Sequence, residues 1–221
     1  MENPWLVLSD SSPFVLEIDR AQIQTYNSEQ PESAKLVLES IPEPFIGNPE
    51  TARVVLLLLN PGHKSEDKDA HSNPRFKEIL FRNLQHVDQE FPFYPLNPAL
   101  SWTPSARWWI PRTRQLIEAT GLSLTEFSKR LIVIEWFPYH SKNSGLPVSP
   151  ICDSQRYSFC LLKRLLDKGK LVVRMRSKSR WEQVDQRTSK HALKNPRCGF
   201  ITKRNTEGLL FDRITEALTA R

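Results

Sequence analysis

Apolar residues run unbroken from Val54 to Leu59 and stop at Asn60-Pro61-Gly62. Shorter apolar runs recur at Arg130–Trp136, Lys170–Met175 and Cys198–Thr202. A continuous run of this length reads as a strand buried on both faces. Stretches with helical spacing separate the four, and strand alternating with helix predicts βαβ units and a mainly parallel sheet. Each expected strand leads at its carboxyl end into a polar or aromatic cluster. These are Asn60-Pro61-Gly62-His63, Phe137-Pro138-Tyr139-His140, the basic run Arg176 to Arg180 with Trp181, and Lys203-Arg204-Asn205-Thr206. In an open parallel sheet that edge is where ligands bind.

The helices are read from caps and periodicity. Asn73-Pro74 pairs an N-cap with proline at the first helical position, ahead of a stripe of Phe76, Ile79, Leu80 and Leu84. Pro111 to Thr120 reads as a helix stopped by Gly121, and Ser123 with Glu126 fits a capping box for a short helix after it. Asp153 to Asp167 carries Tyr157, Cys160, Leu161 and Leu165 on one side, with Gly169 closing it, and Leu209, Leu210, Ile214 and Leu218 mark the last helix. The first 50 residues form a lead-in packed on the core of a single domain spanning residues 1–221. It holds a short strand at Phe14 to Ile18, a helix from Asp19 and a turn-rich approach through Pro42 to Gly47. The segment Phe91 to Trp109, rich in proline and aromatics, is expected to be an ordered loop.

Composition narrows the class. At 221 residues, 39% hydrophobic and 25% charged, the chain suits one soluble α/β domain with a real core. Seventeen prolines against seven glycines imply stiff loops. The opening residues lack a secretory pattern, and the longest apolar run is far short of the roughly 20 residues a membrane span needs. A cytoplasmic or nucleoid-associated bacterial protein is expected. Cys152, Cys160 and Cys198 form no CxxC pair, and the five histidines fall at no metal-ligand spacing, so neither metal nor other cofactor is expected. The chain has 31 Lys and Arg against 25 Asp and Glu, for a net charge of +6. Residues 170–204 hold 11 of the basic residues and only 2 of the acidic ones, leaving a slightly acidic remainder. Basic charge confined to one segment is what a polyanion site requires.

Leu56-Leu57-Leu58-Leu59-Asn60-Pro61-Gly62-His63 resembles the first active-site motif of the uracil-DNA glycosylase superfamily, in its Asn-Pro-Gly, mismatch-specific-like form. The approach Pro42-Glu43-Pro44-Phe45-Ile46-Gly47 is similar to the lead-in of relatives. The resemblance implies a three-layer α/β/α fold with a four-stranded parallel sheet in the order 2-1-3-4. It also implies a monofunctional enzyme that flips a base out of double-stranded DNA and hydrolyses its N-glycosidic bond, leaving an abasic site. Breaking that bond builds positive charge on the sugar and negative charge on the base, so the enzyme must hold a water and stabilise the departing ring. An amide at position 60 can only orient water or base.

By this resemblance Asn60, His63 and Asn205 are the catalytic candidates. Pro61, Gly62, Phe76, Trp136, Phe137, Tyr139 and Arg204 would contact the base. Arg176, Lys178, Arg180, Trp181, Lys203 and Thr206 would hold the DNA. The partner is DNA, with no membrane and a monomeric protein. Gly62 replaces the tyrosine of the uracil-specific branch and opens the pocket to a bulky 5-substituted pyrimidine, such as the glucosylated hydroxymethylcytosine of phage DNA. Glu66, Asp67 and Asp69 add acidic groups that could meet a polar substituent or serve as a base. The second motif departs from the family pattern: Arg204-Asn205-Thr206 stands where His-Pro-Ser-Pro or Asn-Pro-Ser is usual. Alternatives are a uracil or mismatch repair glycosylase, a catalytically silent DNA-binding module, and a hydrolase of small nucleosides.

Overall fold

The computed structural model describes residues 1–143 and 145–220. The chain folds as mixed α/β. Strands β1 (Leu36–Val37), β2 (Phe45–Ile46), β3 (Val54–Leu58), β4 (Leu131–Glu135), β5 (His140–Ser141) and β6 (Leu171–Arg174) alternate with eight helices among the described residues. These are α1 (Arg20–Glu29), α2 (Ser65–Ser72), α3 (Pro74–Leu84), α4 (Pro104–Thr120), α5 (Leu124–Arg130), α6 (Gln155–Asp167), α7 (Lys178–Val184) and α8 (Leu210–Thr219).

Strand β3 is wholly buried, as its unbroken apolar sequence requires. It pairs in parallel with β4 on one side (Leu56 opposite Val133) and with β6 on the other (Leu56 opposite Val173). The first three expected strands thus lie in the expected 2-1-3 order. Helix α8 packs on β3 and α4, and α6 packs on β4. Asn73 Oδ1 accepts from the Phe76 N–H (3.1 Å), and Gly121 ends α4 at φ 64°. One half of the expected capping box forms: Ser123 Oγ accepts from the Glu126 N–H at 3.2 Å, while the Glu126 carboxylate turns to Lys129.

The four-stranded parallel sheet is corrected. Its fourth member is β2, from the lead-in, antiparallel to β4 at the opposite edge, and the order is β2-β4-β3-β6. Cys198–Thr202 forms no strand. Gly199 turns there at φ 65°, Phe200 is 38% exposed, and the Asn205 amide ties down the Phe200 and Asn195 carbonyls (2.8 and 3.2 Å). Beside β6 there is only the single bridge Arg174–Ala192. Phe14–Ile18 is not a strand either: the Val15 N–H turns back to the Pro13 carbonyl (2.9 Å), and a 3-10 turn begins at Glu17.

The segment Phe91 to Trp109 is more regular than a loop. Two 3-10 turns occupy Tyr94–Leu96 and Pro98–Leu100, and α4 already starts at Pro104 under a Thr103 cap (Oγ1 to the Ala106 N–H, 3.2 Å). Pro111 therefore lies inside that helix instead of opening it. One buried core extends from Trp5 to Leu218, so the lead-in belongs to the same body as the sheet. No helix among the described residues is long and apolar enough to cross a membrane.

Candidate active site

At the carboxyl edge of β3, β4 and β6 the chain closes a cavity of about 410 Å³. Its walls bring together Asn60, Pro61, Gly62 and His63 after β3, Glu135 at the end of β4, Arg176 after β6, and Phe76 and Trp108 from α3 and α4. Glu43, His71 and His140 complete it from the lead-in, α2 and β5.

Backbone bonds fix the turn after β3. The Phe137 N–H reaches the Leu59 carbonyl (2.7 Å), and the Ser141 N–H reaches the Pro61 carbonyl (3.3 Å). Within this frame the Asn60 amide nitrogen faces three oxygens: Ser141 Oγ at 2.9 Å, the Pro61 carbonyl at 3.0 Å and the Tyr139 carbonyl at 3.4 Å. Two of those are carbonyls, which only accept, so the NH2 must point at them and Oδ1 is left for a ligand or water. Gly62 sits at the cavity rim, where a Cβ would meet nothing within 4 Å.

The histidines divide by their partners. Both nitrogens of His140 face carbonyl oxygens, Nδ1 that of Gly62 (2.7 Å) and Nε2 that of Ile41 (3.0 Å). His71 Nδ1 accepts from the Ile41 N–H (2.9 Å), and burial, then the charge of His140, holds its pKa well below the usual value. The His63 pKa is lowered by the same two causes in the same order, with its Nδ1 3.4 Å from Ser40 Oγ. His63 and His71 are thus neutral rings near neutral pH.

Two carboxyl groups lie at the bottom of the cavity. Glu43 accepts from the Tyr94 hydroxyl and lies 3.9 Å from His140 Nε2. Burial raises its pKa, with His140 and Tyr94 pulling the other way. Glu135 is 5% exposed, and its Oε2 has no hydrogen-bond partner. Burial, and then the neighbouring charge of Glu43, pushes its carboxyl well above the usual carboxylate range.

The ligating atoms of Glu43, His71 and His140 lie within 4.8 Å of one another. They do not fit a metal. Both His140 nitrogens are engaged by carbonyls and His71 Nδ1 by an N–H, which leaves His71 Nε2 and one carboxyl where a closed site needs about four ligands. His71 and His140 instead tie the lead-in at Ile41 to α2 and to the turn at Gly62.

Of the residues singled out from sequence, Asn60, Pro61, Gly62, His63, Asp67, Phe76 and Arg176 line the cavity, and the other site candidates do not. Trp136, Phe137 and Tyr139 are buried core, corrected from base-stacking candidates. The Tyr139 hydroxyl donates to Asp19 Oδ2 (2.7 Å). Trp181 is likewise buried, donating from Nε1 to the Leu58 carbonyl (2.7 Å). Asn205 faces inward and organises the 195–200 loop, so the structure assigns it a structural role in place of the catalytic one; Thr206 is buried against Thr202 and Lys203. Arg204 and Lys203 are exposed but outside the cavity, and Arg180 caps the Leu146 and Pro147 carbonyls. Lys178 is exposed. Among the acidic candidates, Asp67 lines the cavity with Oδ2 accepting from the Lys64 N–H (2.6 Å), while Glu66 and Asp69 face solvent.

Sequence reasoning missed Glu43, Glu135, His71 and Trp108 as site residues. One signal was available: Glu135 is the lone charge ending an apolar run, Leu131 to Ile134, that is buried on both faces. Trp108 gave no such signal, because its place depends on α4 beginning before it. Its ring carries the Arg112 guanidinium at 3.9 Å.

Comparison with protein-family models, with curated proteins and with solved structures returned no match.

Proposed function

We propose that the chain is a DNA glycosylase that takes a flipped base into this cavity and hydrolyses its N-glycosidic bond without a metal. The observation that carries the reading is the Asn60 amide, held by three oxygens so that Oδ1 is presented at the ligand-binding edge of the sheet. In that role Oδ1 orients the attacking water or the base, and the half-buried Trp108 offers the ring an aromatic wall. The cavity, about 410 Å³, falls in the range of small-molecule sites. The open space at Gly62 suits a base with a bulky C5 substituent, so the substrate proposed is a modified cytosine such as that of phage DNA, with defence against such DNA as the setting. Six basic residues of the 170–204 segment, Lys178, Lys190, Lys194, Arg197, Lys203 and Arg204, are exposed and form no ion pair among the described residues, and these would meet the phosphates.

Abasic-site formation tests the reading on duplexes carrying uracil, mismatches, or methylated, hydroxymethylated or glucosylated cytosine. A 5-substituted cytosine is expected to be released, with Asn60→Ala slowing release about 100-fold or more. DNA bound tightly with no abasic sites on any duplex would instead make the chain a catalytically silent binding module. One observation favours a second reading, hydrolysis of a small nucleoside. Arg174, Arg180 and Arg187 are engaged internally, which thins the basic face. Substrate affinity indifferent to salt would select that reading.

A further inference from the structure

Strand β4 delivers a carboxyl group to the cavity and gives it no partner. The Glu135 backbone is fixed, its N–H donating to the Pro44 carbonyl at 2.9 Å. The side chain lines the cavity, and Oε2 is buried without a hydrogen bond. Arg176, which lines the same cavity, forms no ion pair with it; its Nε and Nη2 donate to the Pro196 and Arg197 carbonyls (3.1 and 3.2 Å). A polar group buried unpaired is costly, and such a group in a ligand cavity marks where a ligand supplies the missing bond.

We infer that Glu135 reads and protonates the ring nitrogen beside the exocyclic amine of an aminopyrimidine base, the cytosine type, and so sets the preference over the lactam, uracil type. This rests on the glycosylase reading above. A neutral carboxyl group offers one donor and one acceptor. It complements an aminopyrimidine edge, giving its O–H to the ring nitrogen N3 and accepting from the amine. Once the proton has passed to N3, the carboxylate meets two N–H donors, so the pairing survives the transfer. A lactam edge complements the neutral acid as well, but a carboxylate would face its carbonyl oxygen. Glu43, beside Glu135 in the same cavity, adds to the preference for an edge that donates. Burial favours the protonated form of Glu135, with Arg176 the opposing influence.

The step balances. The proton moves from Glu135 to N3, and the C1′–N1 bond breaks with its electron pair left on the ring, which departs as the neutral base. Water bonds to C1′, and its proton returns through solvent to the Glu135 carboxylate. Asn60 cannot supply this proton, and a cytosine-type ring leaves poorly without one.

Two variants separate reading from protonation. Glu135→Gln keeps a donor and an acceptor but has no acidic proton, whereas Glu135→Leu has neither; thermal melting checks that both fold. On duplexes with 5-hydroxymethylcytosine, Glu135→Gln is expected to slow base release about 100-fold or more. The preference for 5-hydroxymethyl-2′-deoxycytidine over 2′-deoxyuridine, measured by titration calorimetry, should be lost in both variants, Glu135→Gln binding the two nucleosides alike because its amide complements either edge and Glu135→Leu binding both more weakly. Abasic sites formed equally well by Glu135→Gln, or a wild type that binds both nucleosides alike, would overturn the role of Glu135 and leave the glycosylase intact. The binding preference without abasic sites on any duplex would overturn the glycosylase and the proton transfer while keeping Glu135 as the reader.

Discussion

Asn60 and Glu135 are opposite solutions to presenting a polar atom. The amide has its NH2 engaged by the protein and one oxygen free, so its geometry is fixed before any ligand arrives. The carboxyl group has a buried oxygen with no partner, so it destabilises the fold for the sake of the site. That cost has a pH signature. The folded value of Glu135 lies above the ordinary 4.5. Below that value both folded and unfolded chains hold the proton. As pH rises, the unfolded chain releases it and the folded chain does not, so wild-type stability falls until the folded carboxyl ionises. Glu135→Gln removes this dependence. Relative to wild type it should gain about 1.4 kcal/mol for each pH unit within that window. Urea unfolding at pH 4, 6 and 8 reads the difference, and a gap that stays constant with pH would contradict the buried-acid assignment. The site was legible from sequence only where a motif named it. Asn60, Gly62 and His63 stood out because a turn interrupts a buried strand. Glu43 and His71 act through contacts between segments distant in the chain, which no local pattern records.

At the scale of elements, the sequence conveyed what depends on neighbouring residues. Strands β3, β4 and β6 follow from apolar runs, and the N-cap of α3 and the glycine that ends α4 from cap signals, whereas the strand order came only with the family resemblance. The fourth strand failed for a physical reason. Cys198–Thr202 contains Gly199 at a positive φ and an exposed Phe200, so it lacks the continuous apolar character of the other three. Strand β2 is two residues long and is recognisable only once β4 is beside it. Helix α4 was misjudged because Pro111 looked like a start, whereas Thr103-Pro104 carries the true cap and first turn. The loop that replaces the fourth strand hangs on Asn205, whose Oδ1 accepts from the Asn195 N–H (2.7 Å) while Nδ2 donates to the Phe200 and Asn195 carbonyls. Asn205→Ala removes these part-buried bonds and should cost about 1 kcal/mol, with faster limited proteolysis between 194 and 204. Base release per folded molecule should be kept. A variant that folds as stably as wild type yet loses activity would restore Asn205 to the catalytic set.

For the molecule as a whole, the count of basic residues overstates the face that could meet a polyanion. Arg174 is nearly buried against Glu182 (2.8 Å), Arg187 is clamped by Asp185 and Asp167 (both 2.8 Å), and Arg180 caps two carbonyls. What remains exposed after β6 is concentrated around the Asn205-anchored loop: Lys194, Arg197, Lys203 and Arg204. Arg176, whose side chain bonds to the Pro196 and Arg197 carbonyls, links that loop to the cavity wall. A duplex lying across this loop would have its backbone beside the opening through which a base must pass. Each neutralised phosphate contributes roughly 0.9 to the slope of log Kobs against log salt concentration. Changing Lys194, Arg197, Lys203 and Arg204 together to alanine should therefore flatten the slope for a 20-base-pair duplex by up to about 3.6 units. A control with Lys163 of α6 and Lys168 just after it changed should leave it as in wild type. Equal flattening by both sets would mean only a diffuse attraction from net charge, and an unchanged slope in both would remove the duplex from this face.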